Sequence, residues 1–358
     1  MSIYILSLII CLLLSAFYHQ KSISNYIGVI KTANFRNIYI LVAFFFLAVV
    51  GLRSNTVGID TINYQNIYTS RLPESYTYLL QYNWYDGIGH TLLIYLFRKL
   101  GLPWQAYAFS MAAIYIVPIM YLIYKKTSNP YFALVLFILS GSWTYPMSTM
   151  RQAAAMGIVI IAFFFLGKPI KCFILLILAA TFHASAIISI LLFLATKIPL
   201  NKKNRLVWLG VGLGVTVLAI GPLQSLFFQI MNMFGRTMYV YDETTGGWFQ
   251  ELFFVLTVLI GILYSVDFQN EDYLFGLKAI YLSAVLLPIV RINPTLFRVY
   301  SYFSIYQIVF VPLLIGNLKD RIVKVSGFVG YMSVYLYIFF TQCMIPSLKV
   351  IPYHFFWY

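Results

Sequence analysis

The sequence predicts an all-α, polytopic integral membrane protein, and three observations carry that prediction. Hydrophobic residues make up 61% of the 358 positions and charged ones 9%, with a mean hydropathy of +0.84. A soluble globular domain carries far more charge. Apolar runs of about 15 to 25 residues recur from one end to the other, the length a bilayer asks of a helix. Lys and Arg collect in short segments between these runs, the positive-inside pattern. Little chain is left for a soluble domain, so residues 1–358 read as a single transmembrane domain.

Taken in order, membrane segments are expected at 2–18, 38–52, 104–124, 130–146, 149–166, 172–196, 206–230, 249–266, 276–290, 299–316 and 326–345. The first run lacks a basic n-region and a small-x-small cleavage site, so it reads as a retained span. Segment 88–100 is too short for a normal span and suits an interfacial or re-entrant position. Residues 172–196 form either one long helix or two short ones turning near His183, which gives about eleven to thirteen segments in all. One set of loops holds 15 of the 24 basic residues and the other nine, and the first set is assigned to the cytoplasm. The two longest loops, 53–87 and 231–248, then fall on the outer side.

The net charge of +14 does not signal nucleic acid, because the basic residues form no patch interleaved with aromatics. Cys11, Cys172 and Cys343 lie in or beside apolar runs and have neither metal-ligand nor disulfide spacing. No phosphate-cradling Gly-x-x-x-x-Gly-Lys loop and no nucleophile elbow appear. No metal or cofactor is expected, and no internal repeat argues for a transporter with related halves.

The residues with chemistry gather on the outer side. Gly51-Leu-Arg-Ser-Asn-Thr-Val-Gly-Ile-Asp60 leaves an apolar run with Arg53 and Asp60 flanking Gly58, a bent loop in which the carboxylate either forms an ordinary surface pair or positions an anion-binding arginine. Tyr64 and Tyr68 follow at helical spacing, with Asp60 one turn earlier. Met150-Arg151-Gln152 opens an apolar helix with the wrong sign for its dipole, so Arg151 either snorkels or serves a polar pocket. His183 interrupts a 25-residue apolar stretch, and reads as a hydrogen-bonded core histidine or as a base or phosphate partner. Arg291-Ile-Asn-Pro-Thr-Leu-Phe-Arg298 is a second outer cationic element broken at Asn293-Pro294, with Arg298 heading the next helix and Tyr302 one turn on. Arginine forks suit an anionic ligand such as a lipid diphosphate, whose charge grows as it leaves.

Leu52-Arg53 with Gly58-x-Asp60 and Tyr64, Asp86-Gly87, Arg151-Gln152-x-Ala154, Phe182-His183-x-Ser185, and Arg298 with Tyr302 follow one another along most of the chain. In this ordered set the chain resembles the EpsG/Wzy family of polysaccharide polymerases; it departs in carrying Asp86 where such proteins often have Glu. The resemblance implies a GT-C-like helical bundle in a bacterial inner membrane. It also implies joining of undecaprenyl-diphosphate-linked oligosaccharide repeat units at the periplasmic face into O-antigen or a related surface polysaccharide. Arg53, Arg151, Arg298 and Arg291 would bind diphosphate, with Asp60 positioning Arg53. His183 would be base or phosphate ligand, and Gly58, Tyr64, Asp86, Gln152 and Tyr302 would support. Membrane lipid is the implied medium and a chain-length regulator protein an implied partner. An O-antigen ligase, a lipid-linked sugar flippase and a membrane-bound O-acyltransferase remain the alternatives.

Overall fold

A computed structural model describes residues 1–24, 32–70, 87–199, 205–233, 247–263 and 270–358. Among them every regular element is a helix, and the only ladder contact is an isolated antiparallel bridge between Arg53 and Phe355. Four helices are long and apolar enough to cross a bilayer: Trp104–Lys126, Leu206–Gln229, Glu271–Arg291 and Arg321–Thr341. A bent pair, Phe297–Ser304 with Gln307–Asn317, makes a fifth if taken as one span broken by 47°, and seven shorter apolar helices accompany these. The protein is thus an all-α polytopic membrane protein, with four or five full-length spans among the described residues. Several of the expected apolar runs end early in backbone breaks.

The described residues fall into two compact units, Met1–Ile187 with Lys324–Tyr358, and Ile188–Val323. The first contains α1 (Ser2–Ser24), α2 (Thr32–Gly51), α3 (Thr61–Ser70), α4 (Ile88–Lys99), α5 (Trp104–Lys126), α6 (Pro130–Leu139), the single turn α7 (Tyr145–Ser148), α8 (Met150–Phe163) and α9 (Pro169–Phe182). Helix α5 packs on α2 and α8, α8 on α9, and α1 on α6. Gly157 lets α8 approach α5 closely, since a Cβ there would stand 1.9 Å from the Ile114 carbonyl oxygen. Helix α6 starts where Asn129 accepts a hydrogen bond from the Phe132 amide and Pro130 occupies the first helical position. It is apolar on every face and almost wholly buried, as such a helix must be.

The expected run 130–146 ends as a helix at Leu139. The irregular segment that follows is pinned by Trp143, which is completely buried, donates from Nε1 to the Phe46 carbonyl at 3.2 Å and meets the Tyr4 and Phe46 rings edge-on. Of the two readings of 172–196, the break is the one found: α9 ends at Phe182, His183 is extended, and a 3₁₀ stretch (Ala184–Ser189) leads into α10 (Ile190–Lys197). Segment 88–100 becomes α4, a twelve-residue helix. At 1.5 Å per residue it is about 18 Å long, too short to cross a hydrocarbon core of about 30 Å.

In the second unit α13 (Glu271–Leu286) is central, touching α10, α11 (Arg205–Met233), α12 (Trp248–Leu263), α14 (Phe297–Ser304) and α15 (Gln307–Asn317). Helix α11 leaves most of its apolar surface uncovered, Leu218 at 81% exposure for example, which suits contact with lipid. Helix α16 (Arg321–Ile338) continues into a π-turn, Phe339–Cys343, and an irregular tail.

Candidate active site

The loop after α2 is stitched to the C-terminal tail. Ser54 donates its amide to the His354 carbonyl at 2.9 Å, Phe356 donates to Leu52 at 3.0 Å, and Gly58 donates to Lys349 at 2.8 Å. Tyr353 and Tyr4 sit beneath, their hydroxyls on the Val49 and Val350 carbonyls. This frame encloses Arg53, which is 2% exposed. One guanidinium nitrogen donates to the Val50 carbonyl at 2.5 Å and the other to Thr61 Oγ1 at 3.4 Å. Arg53 is therefore held by a carbonyl and a hydroxyl in place of the Asp60 carboxylate that the spacing suggested. Burial lowers its pKa to about 10, with the phenols of Tyr353, Tyr4 and Tyr64 opposing the shift, so it stays charged at neutral pH.

Thr61 ties the loop to the segment before α8. Its hydroxyl lies 2.7 Å from the Val57 carbonyl and 2.9 Å from that of Met147. Gly58 lies against the same Met147 carbonyl with φ +93°, a conformation and an approach that no other residue accommodates easily. Met147 stands four residues before Arg151, so two motifs almost a hundred residues apart in sequence are clamped together. Arg151 is half-buried at the start of α8, its guanidinium carbon 5.9 Å from the centre of the Tyr64 ring on α3. Gln152 beside it is buried, and Asp60, half-buried, accepts the Tyr64 amide through its backbone carbonyl.

His183 caps the C-terminal end of α9, half-buried, with Nδ1 2.7 Å from the Ser185 hydroxyl. The α9 end rests on the start of α4, where Gly87 and Gly89 allow close contact with Thr181 and Phe182. Asp86 and the loop residues 234–246 lie outside the described residues. The first unit therefore gathers Arg53, Gly58, Asp60, Tyr64, Arg151, Gln152 and His183.

Arg291, Arg298 and Tyr302 belong to the second unit. Arg291 is hydrogen-bonded to Glu251, and its guanidinium lies 3.4 Å from the centre of the Trp248 ring. Its charge is balanced by the carboxylate and its face covered by the indole, contacts that suit an interfacial anchor. Asn293 forms the expected break, its side chain accepting from the Thr295 amide and hydroxyl at 2.9 and 2.7 Å. Arg298 heads α14 half-buried, with Tyr302 buried one turn later.

Sequence reasoning missed two enclosed side chains, His90 on α4 and Tyr107 on α5, which lie beside Tyr64 and Arg151. The only hint was the ambiguity of 88–100 itself, since a histidine inside a short apolar segment has no distinctive spacing. Among the described residues no group of three or more His, Cys, Asp or Glu side chains is placed to hold a metal ion.

Apolar helices around an arginine-containing polar cluster define a multi-pass membrane protein. A family model of the EpsG family matches residues 36–355, and the chain belongs to that family, the family of Wzy-like polysaccharide polymerases. No curated protein and no solved structure matches.

Proposed function

We propose that this protein is a membrane glycosyltransferase of a bacterial inner membrane that joins undecaprenyl-diphosphate-linked oligosaccharide repeat units into O-antigen or a related surface polysaccharide, with its site facing the periplasm. The observation that carries this reading is the Gly58–Thr61–Met147 clamp, which holds the Arg53 loop and Tyr64 against the helix that Arg151 opens. Family membership supplies the polymerase role.

In this reading the anomeric C–O bond of the growing chain breaks, the electron pair leaves with the lipid diphosphate, and a sugar hydroxyl of the next unit attacks the anomeric carbon. Arg151 grips the diphosphate from the amino-terminal end of α8, where backbone amides also favour an anion. Arg53, too enclosed to grip a ligand, contributes fixed positive charge from beneath and shapes the loop. His183, oriented by Ser185, takes the proton of the attacking hydroxyl or contacts phosphate.

The test is complementation of a polymerase-null strain that makes the matching repeat unit, read as a glycan ladder. Arg151→Lys should shorten or abolish the ladder, because a point charge cannot replace the planar fork, and His183→Ala should leave a single repeat unit. Full ladders from both variants, with the protein present in the membrane, would remove these residues from the site. Transfer of one finished glycan with no ladder would indicate a ligase.

A further inference from the structure

Part of this site is not used by the phosphate chemistry. His90 is fully buried and, among the described residues, neither ring nitrogen has a hydrogen-bond partner; Tyr107 is equally enclosed and its hydroxyl also has none among them. Their ring centres are 5.9 Å apart, edge to face. Tyr68 and Phe97 stand 5.2 and 5.8 Å from the Tyr107 ring, and Tyr64 stands 6.0 Å from His90. The other neighbour of Tyr64 is the Arg151 guanidinium.

Buried polar groups are nearly always bonded, so three orphan atoms in one aromatic box need an explanation. An anion would be met by Arg151 and not by this imidazole, which burial, reinforced by the Arg151 charge, holds neutral. An apolar tail would leave all three atoms unsatisfied. A metal would find a single ligand type. A sugar fits, because its hydroxyls both donate and accept, as neutral imidazole and phenol do, while its C–H faces lie well on aromatic rings. Tyr64 is half-buried and its ring lies beside both His90, at 6.0 Å, and the Arg151 guanidinium, at 5.9 Å, so the box and Arg151 share that side chain.

Resting on the polymerase reading, we propose that His90 and Tyr107 form a buried subsite for a sugar hydroxyl of the lipid-linked repeat unit, behind Tyr64 and beside Arg151. The subsite binds and positions the sugar; no bond forms or breaks there.

The experiment titrates the purified full chain in detergent with two probes. One is bare undecaprenyl diphosphate, and the other is the lipid-linked repeat unit extracted from a strain of the source bacterium lacking this gene. Tyr107→Phe keeps the ring and removes one hydroxyl. It should weaken the sugar-bearing lipid by roughly 3–10-fold, the range of one neutral hydrogen bond, and leave the bare lipid unchanged. Without ligand its melting temperature should stay the same or rise, since an unpaired buried group is gone. His90→Gln should show the same selective loss, and Tyr107→Phe decides the matter if His90→Gln folds poorly. Unchanged binding of both lipids by Tyr107→Phe, or equal weakening of both, overturns the subsite. If the wild-type protein binds neither lipid, the polymerase reading falls and the subsite with it.

Discussion

Gly58→Ala tests whether the loop clamp is as tight as its geometry indicates. At φ +93° a side chain is strained by about 1–2 kcal/mol. The added Cβ would also stand 2.0 Å from the Met147 carbonyl oxygen, 2.6 Å from its carbon and 2.9 Å from Thr61 Oγ1. Two of those atoms are backbone, so the loop itself must withdraw. Withdrawal weakens the Gly58 amide bond to Lys349 and the Thr61 bond to Met147, each of about 1 kcal/mol. The total expected loss is about 3–4 kcal/mol. Gly101→Ala is the control, since Gly101 also has positive φ, at +64°, but has nothing within 4 Å of its would-be Cβ. It should lose about 1–2 kcal/mol from strain alone. Thermal unfolding in detergent compares the two, and the glycan ladder reports function. Because Met147 leads directly to Arg151, a shift of about 1 Å there should cost on the order of 10²-fold in rate. Gly58→Ala should therefore lose the ladder and Gly101→Ala keep it. Equal melting temperatures together with two intact ladders would refute the clamp.

Two further predictions concern the arginines. In Arg53→Lys the same burial would hold the ammonium below its ordinary range. A base with a lowered pKa discharges as pH rises, so this variant's ladder should fade as pH is raised above neutral while the wild-type ladder persists, Arg53 itself titrating only near 10. A pH-independent variant would show that the Arg53 charge is not needed. Arg291→Met should lower stability by about 1–2 kcal/mol through loss of the Glu251 pair and the Trp248 contact, and leave the ladder intact at permissive temperature. Loss of the ladder by a folded variant would return Arg291 to the binding machinery.

The sequence alone determined the solvent and the class of this protein. Apolar runs without charge have to be helices in lipid, because no other open structure satisfies the backbone there. It also marked the arginines and His183, since ionisable groups at the ends or middle of such runs are conspicuous. The break at His183 was legible for the same reason.

Tertiary structure decided what those groups touch. Residues 346–358 lie past the last expected membrane segment, and they frame the Arg53 loop through backbone hydrogen bonds, which no side-chain pattern encodes. Asp60 and Arg53 are close in sequence, but the fold hands Arg53 to Val50 and Thr61. Arg291 and Arg298 share one cationic stretch, and it is the fold that places Glu251 and Trp248 beside Arg291. His90 and Tyr107 had no distinctive spacing, because a lone histidine and one tyrosine among 30 become a pair only when α4 and α5 bring them together. Lipid as solvent fixes secondary structure from composition, whereas the partners of a buried polar group are set by which helix faces which.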